Sequence, residues 1–190
     1  MMTLLWIGAA LAVAAAILAG TLRTGISPMP TLPAVRRTLL AALPAPARVG
    51  GGPVVELGAG WGGLALALAR HYPAARVDAY ELAPLPWAVC ALRARLAGLG
   101  PRGGGRLAVR RADFLAASLA DARLVVCYLA PGIMAALRPR LEAMLAPGAV
   151  VVSSTFAVPG WRPAAVHRAA DWQRSPVYVY EWPGAAGGAG

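Results

Sequence analysis

The chain has 190 residues, which is enough for one domain with a hydrophobic core or for one domain plus a membrane anchor. The formal net charge is +10, but the 18 basic residues are all arginines, scattered without interleaved aromatics, so no nucleic-acid partner is expected. Two separate cysteines, Cys90 and Cys127, and two histidines provide neither a disulfide framework nor a metal site, and we expect both thiols to be reduced core residues.

The first segment is apolar. Residues 4–22 carry no charge, and at about 1.5 Å per residue a helix of this length spans the hydrocarbon core of a bilayer. A cleaved signal peptide is one alternative, although no basic residue precedes the apolar run, and a buried core helix is another. We predict a transmembrane anchor over residues 1–22. The arginines follow this span, which predicts a single-pass protein of the inner (plasma) membrane with its C-terminal part in the cytoplasm.

Helices and strands alternate beyond the anchor. Residues 23–47 are predicted to form a linker with one short helix, residues 48–183 the main domain, and residues 184–190 a flexible tail. Alternation of this kind predicts an α/β fold, here a Rossmann-like seven-stranded sheet. Strands are predicted within 53–60, 75–82, 105–114, 121–131 and 148–158, helices within 61–72, 86–100 and 133–145, and an antiparallel C-terminal hairpin within 164–172 and 175–182. The last of these helices is predicted to break or bend near Pro139.

The sequence VVELGAGWGG at 54–63 fits two cofactor-binding patterns. G-x-G-x-x-G indicates a dinucleotide, and E-x-G-x-G-x-G indicates S-adenosylmethionine; both use glycines so that the backbone approaches a ligand at a helix N-terminus. Glu56 favours S-adenosylmethionine, because a carboxylate repels a pyrophosphate and attracts the methionyl amine. The alternative for Glu56 is a buried side chain held by backbone donors. The predicted cofactor-binding residues of this loop are Glu56, Gly58, Ala59, Gly60 and Gly62.

Three further residues fit a nucleoside ligand. Glu81 ends the second predicted strand, where a carboxylate accepts hydrogen bonds from both ribose hydroxyls. Asp113 and Phe114 follow the third strand and suit an adenine, the acid binding its amino group and the ring covering its face. A surface position for Glu81, and a helix cap with a core phenylalanine for the pair, are the structural alternatives.

Several motifs in order resemble one family. They are the apolar N-terminus, MPT, ELGAGWG, YELAPLPWAV, ADFLAASLADARLVVCYLAP and FAVPGW. Together they resemble the membrane-anchored lysine methyltransferases, whose mitochondrial members modify the adenine nucleotide translocase and the ATP synthase c subunit. The resemblance implies S-adenosylmethionine as cofactor, a protein lysine as acceptor, and contacts from Thr31 and Leu82. Trp61 and Ala83 depart from the family pattern, where Asp and Asn are usual.

The acceptor side is predicted at the end of the fourth strand, in YLAP. Methyl transfer from a sulfonium mainly requires alignment, exclusion of water and a deprotonated amine, so no dedicated base is needed. Backbone carbonyls of this stretch or the Tyr128 hydroxyl are expected to hold the amine, and the predicted catalytic residues are Tyr128 and Pro131. In the alternative interpretation, Tyr128 is an amphipathic residue at the edge of the sheet. The predicted partner is a protein substrate, including one in the membrane. A small-molecule or lipid methyltransferase, and an inactive cofactor-binding membrane scaffold, remain as alternatives.

Overall fold

The computed structural model describes residue 2, residues 5–8 and residues 31–184. Most of the predicted anchor and the tail after residue 184 lie outside the described residues. Among the helices of the described part, none combines the length and the apolar character needed to cross a bilayer.

The described elements alternate as predicted. The helices are α1 Pro33–Ala42, α2 Pro46–Val49, α3 Gly63–His71, α4 Pro84–Leu96 and α5 Pro131–Met144. The strands are β1 Val54–Leu57, β2 Val77–Tyr80, β3 Leu107–Arg110, β4 Leu124–Cys127, β5 Val150–Ser154, β6 Ala165–Arg168 and β7 Pro176–Glu181. Short 3-10 turns follow α4 and β3, at Pro101–Gly103 and Phe114–Ala116.

The strands form one seven-stranded sheet in the order β3-β2-β1-β4-β5-β7-β6. Strands β1 to β5 are parallel, and β7 runs antiparallel to both β5 and β6, which confirms the predicted sheet and its C-terminal hairpin. The chain progresses from β1 to β3 in one direction and then returns to place β4 on the other side of β1. In open α/β sheets, ligands bind outside the carboxyl ends of the strands at such a reversal.

Two hydrophobic layers cover the two faces of the sheet. On one face, Leu39 of α1 packs in a cluster with Leu68 of α3, Cys90 of α4 and Val54 of β1. On the other face, Val55 of β1 packs in a second cluster with the buried α5 residues Met134, Leu137 and Leu141. Strands β1, β4 and β5 are buried along their whole length, as expected of strands covered on both sides.

Helix α5 is not broken at Pro139, and the predicted end of β5 was wrong. Helix α5 continues through Pro139, and the residue four positions earlier, Ala135, is exposed like the proline itself. The carbonyl that loses its partner therefore faces solvent, which makes the proline tolerable. Strand β5 ends at Ser154 and not at 158, because the chain turns sharply at Thr155. Both cysteines are free and buried, as predicted.

Candidate active site

The register of the parallel strands brings the predicted site residues to one edge of the sheet. It aligns Tyr80, Leu57, Cys127 and Ser153 side by side across β2, β1, β4 and β5. Glu81 follows β2 directly, Gly58 follows β1, and Tyr128 follows β4. The two predicted halves, for cofactor and for acceptor, are therefore neighbours along one carboxyl edge.

Glu81 joins the end of β2 to the glycine loop. The Gly60 N–H donates to Glu81 Oε2 at 2.8 Å, and the Ala83 N–H donates to Glu81 Oε1 at 2.8 Å. The side chain is half-buried, and a carboxylate oxygen can accept more than one hydrogen bond, such as a second one from a ribose hydroxyl. Glu81 thus positions the glycine loop and presents hydrogen-bond acceptors for a ligand beside it.

The loop glycines have different functions. Gly62 has a φ of 80°, and a Cβ there would lie 2.6 Å from Cys90 Sγ and 3.1 Å from Cys90 Cα. Only glycine allows this close approach of the loop to α4. At Gly60, with a φ of 52°, a Cβ would meet nothing within 4 Å, so the space beside Gly60 is open to a ligand.

Glu56 is the most unusual group of the site. Its side chain is on β1 and 3% exposed, and Oε2 has no hydrogen-bond partner in the described part of the chain. Burial, together with a smaller effect of the negative charge of Glu81, raises the pKa of the Glu56 carboxyl to about 8. A buried acceptor without a partner is costly, and an ammonium group would satisfy it. The methionyl amine of S-adenosylmethionine fits this position.

The Asp113–Phe114 pair adopts the arrangement of the structural alternative. Asp113 caps the 3-10 turn, with its Oδ1 accepting from the Leu115 N–H at 2.8 Å, and Phe114 is 7% exposed in the core. Adenine binding by this pair stays a prediction. So do contacts from Leu82, which is exposed beside Glu81, and from Thr31, which is half-buried just before α1.

On the acceptor side, Tyr128 is half-buried and its ring stacks on that of Phe156, with centroids 6.3 Å apart and an interplanar angle of 10°. Pro131 is the exposed first residue of α5. Phe156 was not among the predicted site residues, although it begins the FAVPGW motif that supports the family resemblance.

Sequence reasoning also missed contacts from α4 to the loop. Arg93 Nη1 donates to the carbonyl oxygen of Trp61, and Cys90 packs against Gly62. No local pattern identifies these residues, because the contacts depend on how α4 is rotated toward the loop. Trp61, the departure from the family pattern, is therefore held through its backbone from α4.

A separate groove of about 460 Å³ runs along α3. Its lining includes Arg36, Arg70, His71 and Arg93, and none of the predicted site residues. None of the ion pairs in the described part of the chain involves these three arginines. The groove is therefore a basic surface feature and is distinct from the predicted cofactor site.

Comparisons with known proteins agree with this geometry. The family model described as the ANTKMT methyltransferase domain matches residues 56–165. The chain is 36% identical over 116 residues to the adenine nucleotide translocase lysine N-methyltransferase of Mus musculus, a match that covers 60% of this chain and 48% of that protein. It is 28% identical over 129 residues to a protein-lysine N-methyltransferase of Saccharolobus islandicus, covering 67% of this chain and 77% of that one.

Among solved structures, the chain is similar to an RNA methyltransferase from Salinibacter ruber in complex with S-adenosyl-L-homocysteine. The TM-score is 0.68 at 29% identity, and the match covers 82% of this chain and 94% of that chain. The mouse relative is matched over about half of its length, whereas the Salinibacter structure is matched over nearly all of its length.

Proposed function

Because the chain belongs to the ANTKMT methyltransferase domain family, we propose that it transfers methyl groups from S-adenosylmethionine to lysine side chains of a protein. Membership of this family confirms the prediction, made from the glycine loop, of an S-adenosylmethionine-dependent methyltransferase. The observation that carries the proposal is the unpartnered Glu56 Oε2, buried under the loop at the carboxyl edge.

The residues of the cofactor half fit the chemical groups of S-adenosylmethionine. When bound, this cofactor supplies an electrophilic methyl group on a sulfonium. Glu56 is assigned to the methionyl amine, since ion pairing with a cation favours its ionised form. Glu81 is assigned to the ribose hydroxyls, and the open space beside Gly60 allows the backbone to approach the ligand. Asp113 and Phe114 remain assigned to the adenine.

The acceptor half has to present a neutral amine. A lysine ammonium has an ordinary pKa near ~10.4, and removal of water lowers that value because the charged form loses hydration. The half-buried ring of Tyr128 provides apolar surface for this purpose, and Pro131 starts α5 beside it. The chain orients the amine and excludes water, and a separate general base is not required.

Support for a protein acceptor comes from the two curated relatives, both of which are named as lysine N-methyltransferases. The test is incubation of a fractionated lysate with the full chain and S-adenosylmethionine labelled in its methyl group. We expect label on protein, recovered as methyl-lysine after hydrolysis. Label confined to lipid or metabolite extracts would instead assign a lipid or small-molecule acceptor.

We place the protein at the inner membrane, with the domain on the cytoplasmic side. The support is the charge-free run at 4–22, followed by arginines from Arg23 onward. Fractionation of cells that express residues 1–190 or residues 23–190 tests this point. The full chain should sediment with membranes and resist extraction by carbonate, and the shorter chain should not. Equal behaviour of the two chains would disprove the anchor.

RNA methylation is the second candidate function. It is supported by the similarity to the Salinibacter enzyme and by the basic groove along α3. The labelled lysate distinguishes the two candidates, because ribonuclease treatment removes label from RNA and leaves label on protein. Dominant ribonuclease-sensitive label would favour this candidate over lysine methylation.

A further inference from the structure

The chain makes an unusual turn where β5 ends. The Phe156 N–H donates to the Ser154 carbonyl at 2.7 Å, which closes a three-residue γ-turn, and the central residue Thr155 has a φ of 67°. A γ-turn with a positive central φ is rare, and it is strained for a β-branched residue. Strained backbone of this kind is found mainly at functional sites, where the surrounding structure holds it in place.

Several contacts hold the turn. The Thr155 N–H donates to the carbonyl of Pro176 in β7 at 2.7 Å, and the buried Ser153 hydroxyl donates to the Phe156 carbonyl. Further along the segment, the Val158 N–H donates to the Tyr180 hydroxyl at 3.0 Å. The backbone on both sides of Phe156 is therefore attached to the sheet.

The rest of the FAVPGW segment also has a structural explanation. Val158 is 1% exposed in the core. Trp161 stacks on Trp182 with centroids 4.7 Å apart, and its Nε1 donates to Glu142 Oε1 at 2.9 Å. Phe156 is half-buried beside the core, as Trp161 is, but its ring lies against Tyr128 at the end of β4. The strained turn thus holds a partly exposed aromatic ring at the carboxyl edge of the sheet.

We infer that Phe156 is a specificity-determining residue that forms, with Tyr128, an aromatic wall for the aliphatic stem and amine of the acceptor lysine. The γ-turn at Thr155 is the positioning device for this wall. This inference rests on the proposed lysine methylation. An aromatic wall packs against the aliphatic stem of the lysine and removes water from its amine, which favours the neutral form.

The test uses the full chain, labelled S-adenosylmethionine and a detergent-solubilised membrane fraction as a titrated source of acceptor. For Phe156→Ala we expect the half-saturating amount of acceptor protein to rise about tenfold. The dissociation constant of S-adenosylmethionine, measured by calorimetry, should stay within about twofold of wild type, which corresponds to under 0.5 kcal/mol. Phe156→Tyr should restore acceptor saturation, since it retains the aromatic face.

Thr155→Gly tests the turn. Glycine adopts a positive φ without strain, so the fold should be retained, but the turn becomes more flexible. We expect the half-saturating amount of acceptor to rise about threefold with unchanged cofactor binding, equivalent to a small loss of binding energy. Trp172→Ala is the matched control, since Trp172 is an exposed aromatic residue (86%) in the turn between β6 and β7. It should behave as wild type.

Three results would overturn the inference. Phe156→Ala with wild-type acceptor saturation shows that the ring is not part of the acceptor site, and wild-type saturation in Thr155→Gly removes the positioning function of the turn. Equal losses of acceptor and cofactor binding in Phe156→Ala show that the residue is purely structural. If circular dichroism shows that Phe156→Ala is unfolded, the same measurements are made on Phe156→Leu. Failure of the proposed function gives a different result, because the wild-type chain itself then transfers no labelled methyl group to protein.

Discussion

The cofactor half and the acceptor half of the candidate site are built by different means. At the ends of β1 and β2, peptide groups and glycines determine the geometry, with the Gly60 and Ala83 N–H groups bound to Glu81. At the ends of β4 and β5, aromatic side chains determine it, with Tyr128 stacked on Phe156. The first half depends on backbone conformation and the second on side-chain packing.

This difference suggests how one fold serves many acceptors. A ligand held by backbone groups and two carboxylates constrains the loop sequence strongly, since few residues other than glycine adopt its conformations. Where a wall of side chains binds the methyl acceptor, one or two substitutions can change which acceptor is bound. Substitutions in the cofactor half should therefore affect folding or cofactor affinity, and substitutions in the acceptor half should affect saturation by the acceptor.

The largest effect is expected for Gly62→Ala, because a Cβ would clash with Cys90 at a φ of 80°. We expect the free energy of unfolding to fall by about 3–5 kcal/mol, as measured by chemical denaturation. Gly60→Ala is the matched control, since it has a positive φ but open space. Its loss should be about 1–2 kcal/mol, while cofactor affinity falls. Equal losses in both variants would mean that the contact with Cys90 is unimportant.

Glu81→Ala should abolish most cofactor binding. The substitution removes the hydrogen-bond acceptors assigned to the ribose hydroxyls, and the Gly60 N–H loses its partner. We expect the dissociation constant of S-adenosylmethionine, measured by calorimetry, to rise about 100-fold. Glu181→Ala is the control, because this exposed carboxylate on β7 pairs with Arg48 of α2, and its loss should leave the affinity unchanged. Wild-type affinity in Glu81→Ala would refute its assignment to the ribose.

Glu56→Gln should weaken cofactor binding about tenfold, because it loses a charge-assisted hydrogen bond to the methionyl amine. The same substitution should change the pH dependence of stability. In the ligand-free protein the pKa of Glu56 is raised from 4.5 to about 8. Between these values the unfolded chain releases a proton that the folded chain keeps, so stability falls as pH rises.

A glutamine at residue 56 binds and releases no proton in this pH range. The melting temperature of Glu56→Gln minus that of wild type should therefore rise from pH 5 to about pH 8, the pKa of folded Glu56. Differential scanning calorimetry over this range measures the difference. A constant difference between the two proteins would indicate that Glu56 is ionised in the folded, ligand-free protein.

The smallest effect is expected for Tyr128→Phe. If the ring and not the hydroxyl contacts the acceptor, kcat and acceptor saturation should change by less than about threefold, or about 0.7 kcal/mol. Tyr128→Ala, which removes the ring that stacks on Phe156, should raise the half-saturating acceptor amount markedly. A 100-fold loss of kcat in Tyr128→Phe would instead assign the amine to the hydroxyl.

Much of the fold follows from local patterns in the sequence. Buried runs such as Val54–Leu57, separated by glycine turns and amphipathic helices, are enough to predict a parallel sheet with an antiparallel end. The positions of Glu56 and Glu81 follow from the same pattern. Glu56 lies one residue before the end of β1 and Glu81 directly after the end of β2, and carboxyl ends of parallel strands meet at one edge.

Other features were decided by tertiary structure. The end of β5 depends on a hydrogen bond from Thr155 to Pro176, 21 residues later in the chain, so the predicted strand continued too far. The need for glycine at residue 62 arises from Cys90 on a different helix. Phe156 became a site residue only when the register placed the end of β5 beside Tyr128.

The sequence by itself determined the class of the fold, the glycine loop and the acidic residues of the cofactor half. These depend on hydrophobic periodicity and backbone conformational preference, which act over a few neighbouring residues. Only the tertiary structure decided the contacts between α4 and the loop and the aromatic wall of the acceptor half. Such contacts depend on helix rotation and strand register, and these are set by the packing of the whole domain.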